Sequence, residues 1–205
     1  MKIELLGISK RFNYEWIFRD LSYSFEPSNS YAITGQNGSG KSTLLKIISG
    51  QLSPSEGSIS YLDQKKITIE NIYTEVAFTA PYIELVDDFS LFEYLRFHFS
   101  FKKVLNGYSL IELLEISGLQ NHRNKSLKTF SSGMKQRVKL ITTILSDTKL
   151  LLLDEPSSNL DAAGVLWYQQ LMDQYRNDRI VIVGSNMERE YLYCNKTLNI
   201  ADYKK

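Results

Sequence analysis

The sequence predicts an α/β fold in which a mostly parallel sheet is flanked by helices. A small antiparallel β subdomain sits towards the N-terminus, and a helical subdomain is inserted into the core. Three observations carry this expectation. Leu150-Leu151-Leu152-Leu153 and Ile180-Val181-Ile182-Val183 are short and wholly apolar, as parallel strands covered on both faces are. The glycine-rich stretch Gly35-Gln36-Asn37-Gly38-Ser39-Gly40-Lys41-Ser42-Thr43 lies between a short apolar run and a helical pattern. Residues 81–128 then turn to helical periodicity before the apolar runs resume. At 205 residues and 43% hydrophobic content the chain suits one domain. Its core would be built from residues 1–80 and 129–205, with 81–128 as the helical insertion.

Taken in order, residues 1–9 partly alternate and read as an edge strand. Lys10-Arg11-Phe12-Asn13-Tyr14 reads as a polar turn with aromatics. Residues 16–18 and 21–25 alternate again, and Pro27-Ser28-Asn29-Ser30 turns the chain into a buried strand at 31–34. Leu44, Leu45, Ile47 and Ile48 mark one face of a helix over 42–49, stopped by Gly50. Residues 58–62 and 67–69 read as a small antiparallel pair, and 75–78 as a strand ended by Pro81. Ser90 and Glu93 have capping-box spacing ahead of an aromatic-rich helix over 91–102. Residues 109–117 predict a second amphipathic helix closed by Gly118, and helices follow over 134–145 and 162–176.

Composition narrows the function classes. With 24 basic and 23 acidic residues the net charge is +1, so nothing points to nucleic acid as the main partner. A single cysteine, Cys194, gives no disulfide framework within one chain and reads as an ordinary half-buried thiol. The first residues, with Glu4 among them, do not read as a signal peptide, and no apolar run approaches the ~18 residues needed to cross a bilayer. His98 and His122 have no carboxylate or cysteine neighbours at ligand spacing and read as non-catalytic. The aromatics Phe92, Tyr94, Phe97, Phe99 and Phe101 cover more of their helix than one buried face needs. They read either as packing of the helical block or as an exposed patch that docks a partner.

The stretch 35–43 fits G-x-x-x-x-G-K-[ST], the phosphate-binding loop of P-loop nucleoside triphosphatases. Gly35, Gly38 and Gly40 permit backbone angles that turn consecutive N–H groups, with those of Asn37, Ser39 and Thr43, inward around phosphates. The following helix points its positive dipole end at the same place. Lys41 supplies a point charge for the β- and γ-phosphates, and the Ser42 hydroxyl is placed to ligate Mg²⁺. A second signal is the apolar run 150–153 followed by Asp154-Glu155, an acid pair at the C-terminal edge of a buried strand. Asp154 would hold Mg²⁺ through water, and Glu155 would polarise the attacking water.

Between these signals lies Phe130-Ser131-Ser132-Gly133-Met134, and beyond them Ser158-Asn159-Leu160-Asp161. The order of phosphate loop, helical block, this signature-like stretch, apolar-Asp-Glu-Pro and the Asp161 loop resembles the ATP-binding cassette (ABC) ATPases over nearly the whole chain. The resemblance implies head-to-tail dimers, of a second copy or a homologous ATPase subunit, sandwiching two ATP-Mg²⁺. Each site would take its phosphate loop from one chain and Ser131 and Gly133 from the other, with Asp161 linking the two sites. Phe12 falls where the family stacks an aromatic on adenine, with Tyr14 as the alternative. The resemblance also implies a separate transmembrane permease subunit and a peripheral place on the cytoplasmic face of the membrane.

Two departures from the family pattern stand out. The usual Gln after the strand before the helical block is missing, and Thr79 or Ala80 takes its place. The usual switch His is Asn186, which can donate a hydrogen bond but cannot become cationic. Either Glu155 remains the base and Asn186 keeps a neutral contact, with slow or partner-controlled hydrolysis, or the chain is an ATP-gated regulator with little turnover. A third reading is a non-transport ABC ATPase acting on ribosomes or DNA.

Overall fold

The computed structural model describes residues 1–204 and contains two sheets. An antiparallel sheet has the order β2-β1-β4-β5, built from β1 (Lys2–Phe12), β2 (Glu15–Phe25), β4 (Glu56–Leu62) and β5 (Lys66–Ile67). A parallel sheet has the order β6-β7-β8-β3-β9, built from β3 (Ser30–Thr34), β6 (Val76–Thr79), β7 (Leu150–Asp154), β8 (Ile180–Gly184) and β9 (Lys196–Asn199). The helices are α1 (Lys41–Ile48), α2 (Leu91–Phe101), α3 (Leu110–Ser117), α4 (Ser132–Ile144) and α5 (Ala162–Tyr175).

The parallel sheet divides the core because strand side chains alternate faces. Leu151, Leu153, Val181 and Val183 point to the side packed by α4, α5 and the helical insertion. Leu150, Leu152, Ile180 and Ile182 point to α1 and the antiparallel sheet. All eight are essentially inaccessible. Each such side chain is worth about 1.5–3 kcal/mol of burial, which is why the two four-residue apolar runs define the centre of the fold.

Two expectations about the N-terminal region change, and one strand near the C-terminus is added. The first strand is not an edge strand: β1 pairs with β2 on one side and β4 on the other, burying Ile3, Leu5 and Ile8. The turn is shorter than 10–14. Strand pairing continues through Arg11↔Trp16 and Phe12↔Glu15, leaving Asn13-Tyr14 as the hairpin tip with Asn13 at φ 54°. Trp16, flanked by Arg11 and Arg19 at 5.4 and 4.5 Å, holds the polar ends of the hairpin together. β9 had no strand expectation because only Leu198 of its four residues is buried, so the apolar signal is one residue long.

The helical insertion forms from local signals. Ser90 and Ser109 both build capping boxes, with Glu93 and Glu112 accepting from the cap N–H groups at 2.8 and 2.7 Å. Gly118 ends α3 in the left-handed region at φ 70°. Leu91 and Leu95 anchor α2, while Phe97 and Phe101 remain 47% and 74% exposed, with Phe97 edge-on to both Phe89 and Phe101. His98 is a packing residue: its Nε2 pairs with Ser146 Oγ at 3.1 Å, and burial, helped by Lys102, pushes its pKa down to about 4.

The unfolded chain therefore binds a proton at His98 before the native one does, so stability from this group is lost as pH falls from about 6.5 to about 4. His98→Gln, which keeps a donor for Ser146, is expected to lose less stability than wild type over that window. Urea midpoints at pH 7.5 and 4.5 measure this, and equal losses in both proteins would contradict it.

Candidate functional site

The parallel sheet assembles the site. β7, β8 and β3 are adjacent, and the register places Asp154, Gly184 and Ile33 in one row across them. Their C-terminal ends thus deliver the acid pair, Ser185-Asn186 and the glycine-rich loop to one edge. Gly184 allows this close approach, since a Cβ would sit 2.9 Å from Leu45 Cδ1 and 3.2 Å from Asp154 Oδ1. Gly40, at φ 106°, precedes α1, and a Cβ there would come within 2.6 Å of Ile17.

The loop and α1 line a cleft of ≈ 180 Å³ with Ile17, Asn37, Gly38, Gly40, Lys41, Ser42, Thr43 and Glu155. Lys41 is 5% exposed. Its ammonium donates to the Gly35 and Gln36 carbonyls at 2.7 and 3.2 Å and to Asn186 Oδ1 at 2.9 Å. Burial pulls the Lys41 pKa below the usual lysine value, and the nearby charges of Glu155 and Asp154 pull it back. Gly35 opens the loop, and Ser39 is buried within it, its hydroxyl without a partner among the described residues.

Asp154 is 1% exposed, and neither carboxylate oxygen has a hydrogen-bond partner among the described residues. Burial pushes its pKa up to about 6; the Ser42 hydroxyl and Lys41 pull it down without reaching hydrogen-bond geometry at either oxygen. A buried, unpartnered acid is costly unless a cation completes it. Asp154 and Ser42 offer hard oxygens and so fit Mg²⁺. Among the described residues no group of three or more His, Cys, Asp or Glu could hold a metal alone. Water and substrate phosphates would have to supply the remaining ligands, as is usual for Mg²⁺.

Glu155 is exposed at the mouth of the cleft and adopts φ 42°, an uncommon angle for a non-glycine residue. Its N–H donates to the Gly184 carbonyl at 2.9 Å, which holds that turn. Two residues on, Ser157 donates its N–H at 2.9 Å and its hydroxyl to Glu190, a buried carboxylate from the segment after β8. Glu190 thereby ties the loop carrying Glu155 to the segment carrying Asn186. Sequence reasoning missed it because a lone Glu in a polar stretch gives no burial signal.

Not every expected site residue meets the loop. Ser131 caps α4, accepting from the Met134 N–H at 3.3 Å, and Gly133 packs against the Asn159 carbonyl; neither lines the cleft. Asp161 caps α5, accepting from the Gly164 N–H at 2.8 Å. Phe12 ends β1 half-exposed with Lys10 Nζ 5.1 Å from its ring centre, and Tyr14 is 97% exposed at the hairpin tip. Thr79 and Ala80 are buried at the end of β6. Tyr82 follows them, its phenol pKa raised by burial and by the charge of Asp154, with Lys46 Nζ 4.1 Å from its ring centre. Its only signal in the sequence is its place after Pro81.

A larger cleft of ≈ 830 Å³ lies elsewhere, reaching the residues that lead into β6, β7 and β8. Lys102 in its wall donates to the Tyr73 and Val76 carbonyls, and Arg179 to those of Ile144, Ser146 and Tyr175. The Lys102 and Arg179 cations are thus committed to the backbone.

A glycine-rich loop between a parallel strand and a helix, on the same sheet edge as an acid at the end of a buried strand two places away, defines a P-loop nucleoside triphosphatase. The chain belongs to the ABC transporter family, whose model matches residues 18–158. It is 28% identical over 200 residues to an uncharacterised ABC transporter ATP-binding protein of Bacillus subtilis, covering 97% of this chain and 92% of that one. An energy-coupling factor transporter ATP-binding protein of Thermotoga maritima is 31% identical, covering 94% and 75%. The chain spans 64% of the Nod factor export ATP-binding protein I of Rhizobium johnstonii, at 28% identity. A solved chain from Pyrococcus furiosus described as an ABC transporter ATP-binding protein superposes with a TM-score of 0.84 at 26% identity, covering 100% of both chains. The protein is an ATP-binding, ATP-hydrolysing subunit of this family.

Proposed function

We propose that the chain works as one of a head-to-tail pair, with itself or a homologous ATPase subunit, that closes around two ATP-Mg²⁺ and drives a separate permease subunit. The observation that carries this is Asp154, buried and unpartnered beside Lys41 and Ser42, with the exposed carboxylate of Glu155 one residue on. In this reading the backbone of Gly35, Asn37, Gly38, Ser39, Gly40 and Thr43 holds the phosphates and Lys41 neutralises them. Asp154 and Ser42 hold Mg²⁺, which when bound neutralises charge developing on the phosphate oxygens. Glu155 orients and deprotonates the attacking water, and Phe12 stacks on the adenine. Ser131 and Gly133, away from their own cleft, meet the partner's ATP, and Asp161 sits between the two sites. The test is Mg²⁺-ATPase activity together with the membrane partner; wild-type turnover no higher than that of Glu155→Gln would favour the regulator instead.

Residues 1–80 and 129–205 form the nucleotide-binding core in this reading, and residues 81–128 the helical subdomain that receives the permease on the cytoplasmic face of the membrane. No helix among the described residues is long and apolar enough to cross a membrane. The exposed Phe97 and Phe101 support the docking surface. Phe97→Asp is expected to weaken association with the membrane subunit in a pull-down and leave ATP binding unchanged; equal recovery would contradict this placement.

A further inference from the structure

We propose that Asn186 is a latch on Lys41 that nucleotide must displace, and that this exchange sets the preference for triphosphate over diphosphate. The inference rests on the reading of residues 35–43 as a nucleotide phosphate loop. An ammonium has three N–H donors and no acceptor. All three donors of Lys41 are engaged, at Gly35 O, Gln36 O and Asn186 Oδ1. A phosphate oxygen therefore gains Lys41 only when one of these is released. The two carbonyls belong to the loop backbone itself. Asn186 is the side-chain acceptor, and it comes from a different strand end.

The orientation of that amide is forced. Because Lys41 only donates, Oδ1 must face it and Nδ2 must face away. Nδ2 donates to Asn37 Oδ1 at 2.6 Å, so the amide closes a strap from the segment after β8 onto the phosphate loop. Entry of a nucleotide replaces Lys41···Asn186 by Lys41···phosphate and frees the amide. With a terminal phosphate present, rotation of the side chain lets Nδ2 donate to it, so the lost bond is replaced. A diphosphate takes the lysine, leaves Asn186 Oδ1 without its donor and offers Nδ2 no terminal phosphate in compensation. Asn186 thus opposes ADP more than ATP.

The experiment measures binding of ADP and of the non-hydrolysable analogue AMP-PNP, with Mg²⁺, to the full chain by isothermal titration. For Asn186→Ala, ADP is expected to bind about tenfold tighter, the scale of one lost competing hydrogen bond to a charged group. AMP-PNP affinity changes less, so the triphosphate preference falls. Asn186→Asp turns the latch into an ion pair and is expected to weaken both nucleotides. Thermal melts confirm that each variant is folded. ADP affinity in Asn186→Ala equal to or weaker than wild type overturns the latch. If binding is meanwhile abolished by Lys41→Ala, the nucleotide reading of the loop stands without it. Absence of nucleotide binding by the wild type would overturn both.

Discussion

Glu155→Gln is expected to lower Mg²⁺-dependent ATP turnover by about two to four orders of magnitude, the usual contribution of a general base. That loss corresponds to about 3–5 kcal/mol in the barrier. The change is isosteric, and residue 155 keeps the same left-handed backbone at φ 42° with its N–H on the Gly184 carbonyl. Since Glu155 is exposed at the cleft mouth and Lys41 is buried behind it, the variant is expected to bind ATP as the wild type does. With hydrolysis blocked, the closed pair should accumulate, doubling the mass seen by sedimentation in Mg²⁺-ATP. Phosphate release in the presence of the membrane partner measures the first effect. A Gln variant that turns over at the wild-type rate would remove Glu155 from the chemistry.

Asp154→Asn is expected to pull in two directions at once. The buried carboxylate has no partner among the described residues, and burial raises its pKa to about 6 from an ordinary 3.8. Between those values the native state holds a proton that the unfolded chain has lost. The nucleotide-free protein therefore loses stability from this group as pH rises from about 4 to about 6. The asparagine variant does not titrate, so at pH 8 without Mg²⁺ it should be more stable by up to about 3 kcal/mol, several degrees in Tm. At pH 4 the two melting temperatures should converge. Mg²⁺ binding needs the charged form, so wild-type stimulation of nucleotide binding by Mg²⁺ should grow as pH passes about 6 and be absent in the variant. A variant that melts below wild type at pH 8, or that keeps Mg²⁺ stimulation, would contradict the role given to Asp154.

Much of the fold was legible because its signals are local. The capping box at Ser90, the stop at Gly118 and the apolar runs 150–153 and 180–183 all lie within a few residues of the structure they determine. What escaped was decided by pairing at a distance. β1 looked like an edge strand because nothing in residues 1–9 announces that both of its sides will be covered, one by β2 and the other by β4. β9 is a strand because β3 offers it an open edge, not because Lys196-Thr197-Leu198-Asn199 favours one. In the site, Glu190 acts through Ser157, 33 positions away, and no spacing rule reaches that far.

The phosphate loop, the acid pair and the family were in the sequence itself, because phosphate and Mg²⁺ chemistry demand particular residue types at short, fixed spacings. The tertiary structure decided which of those groups meet. It set Asp154, Gly184 and Ile33 in one row, left the acid without a protein partner and closed Asn186 over Lys41, 145 positions away in the chain. Hydrogen bonds and charges act through space. Only the stacking of β7, β8 and β3 side by side brings these distant segments within their range.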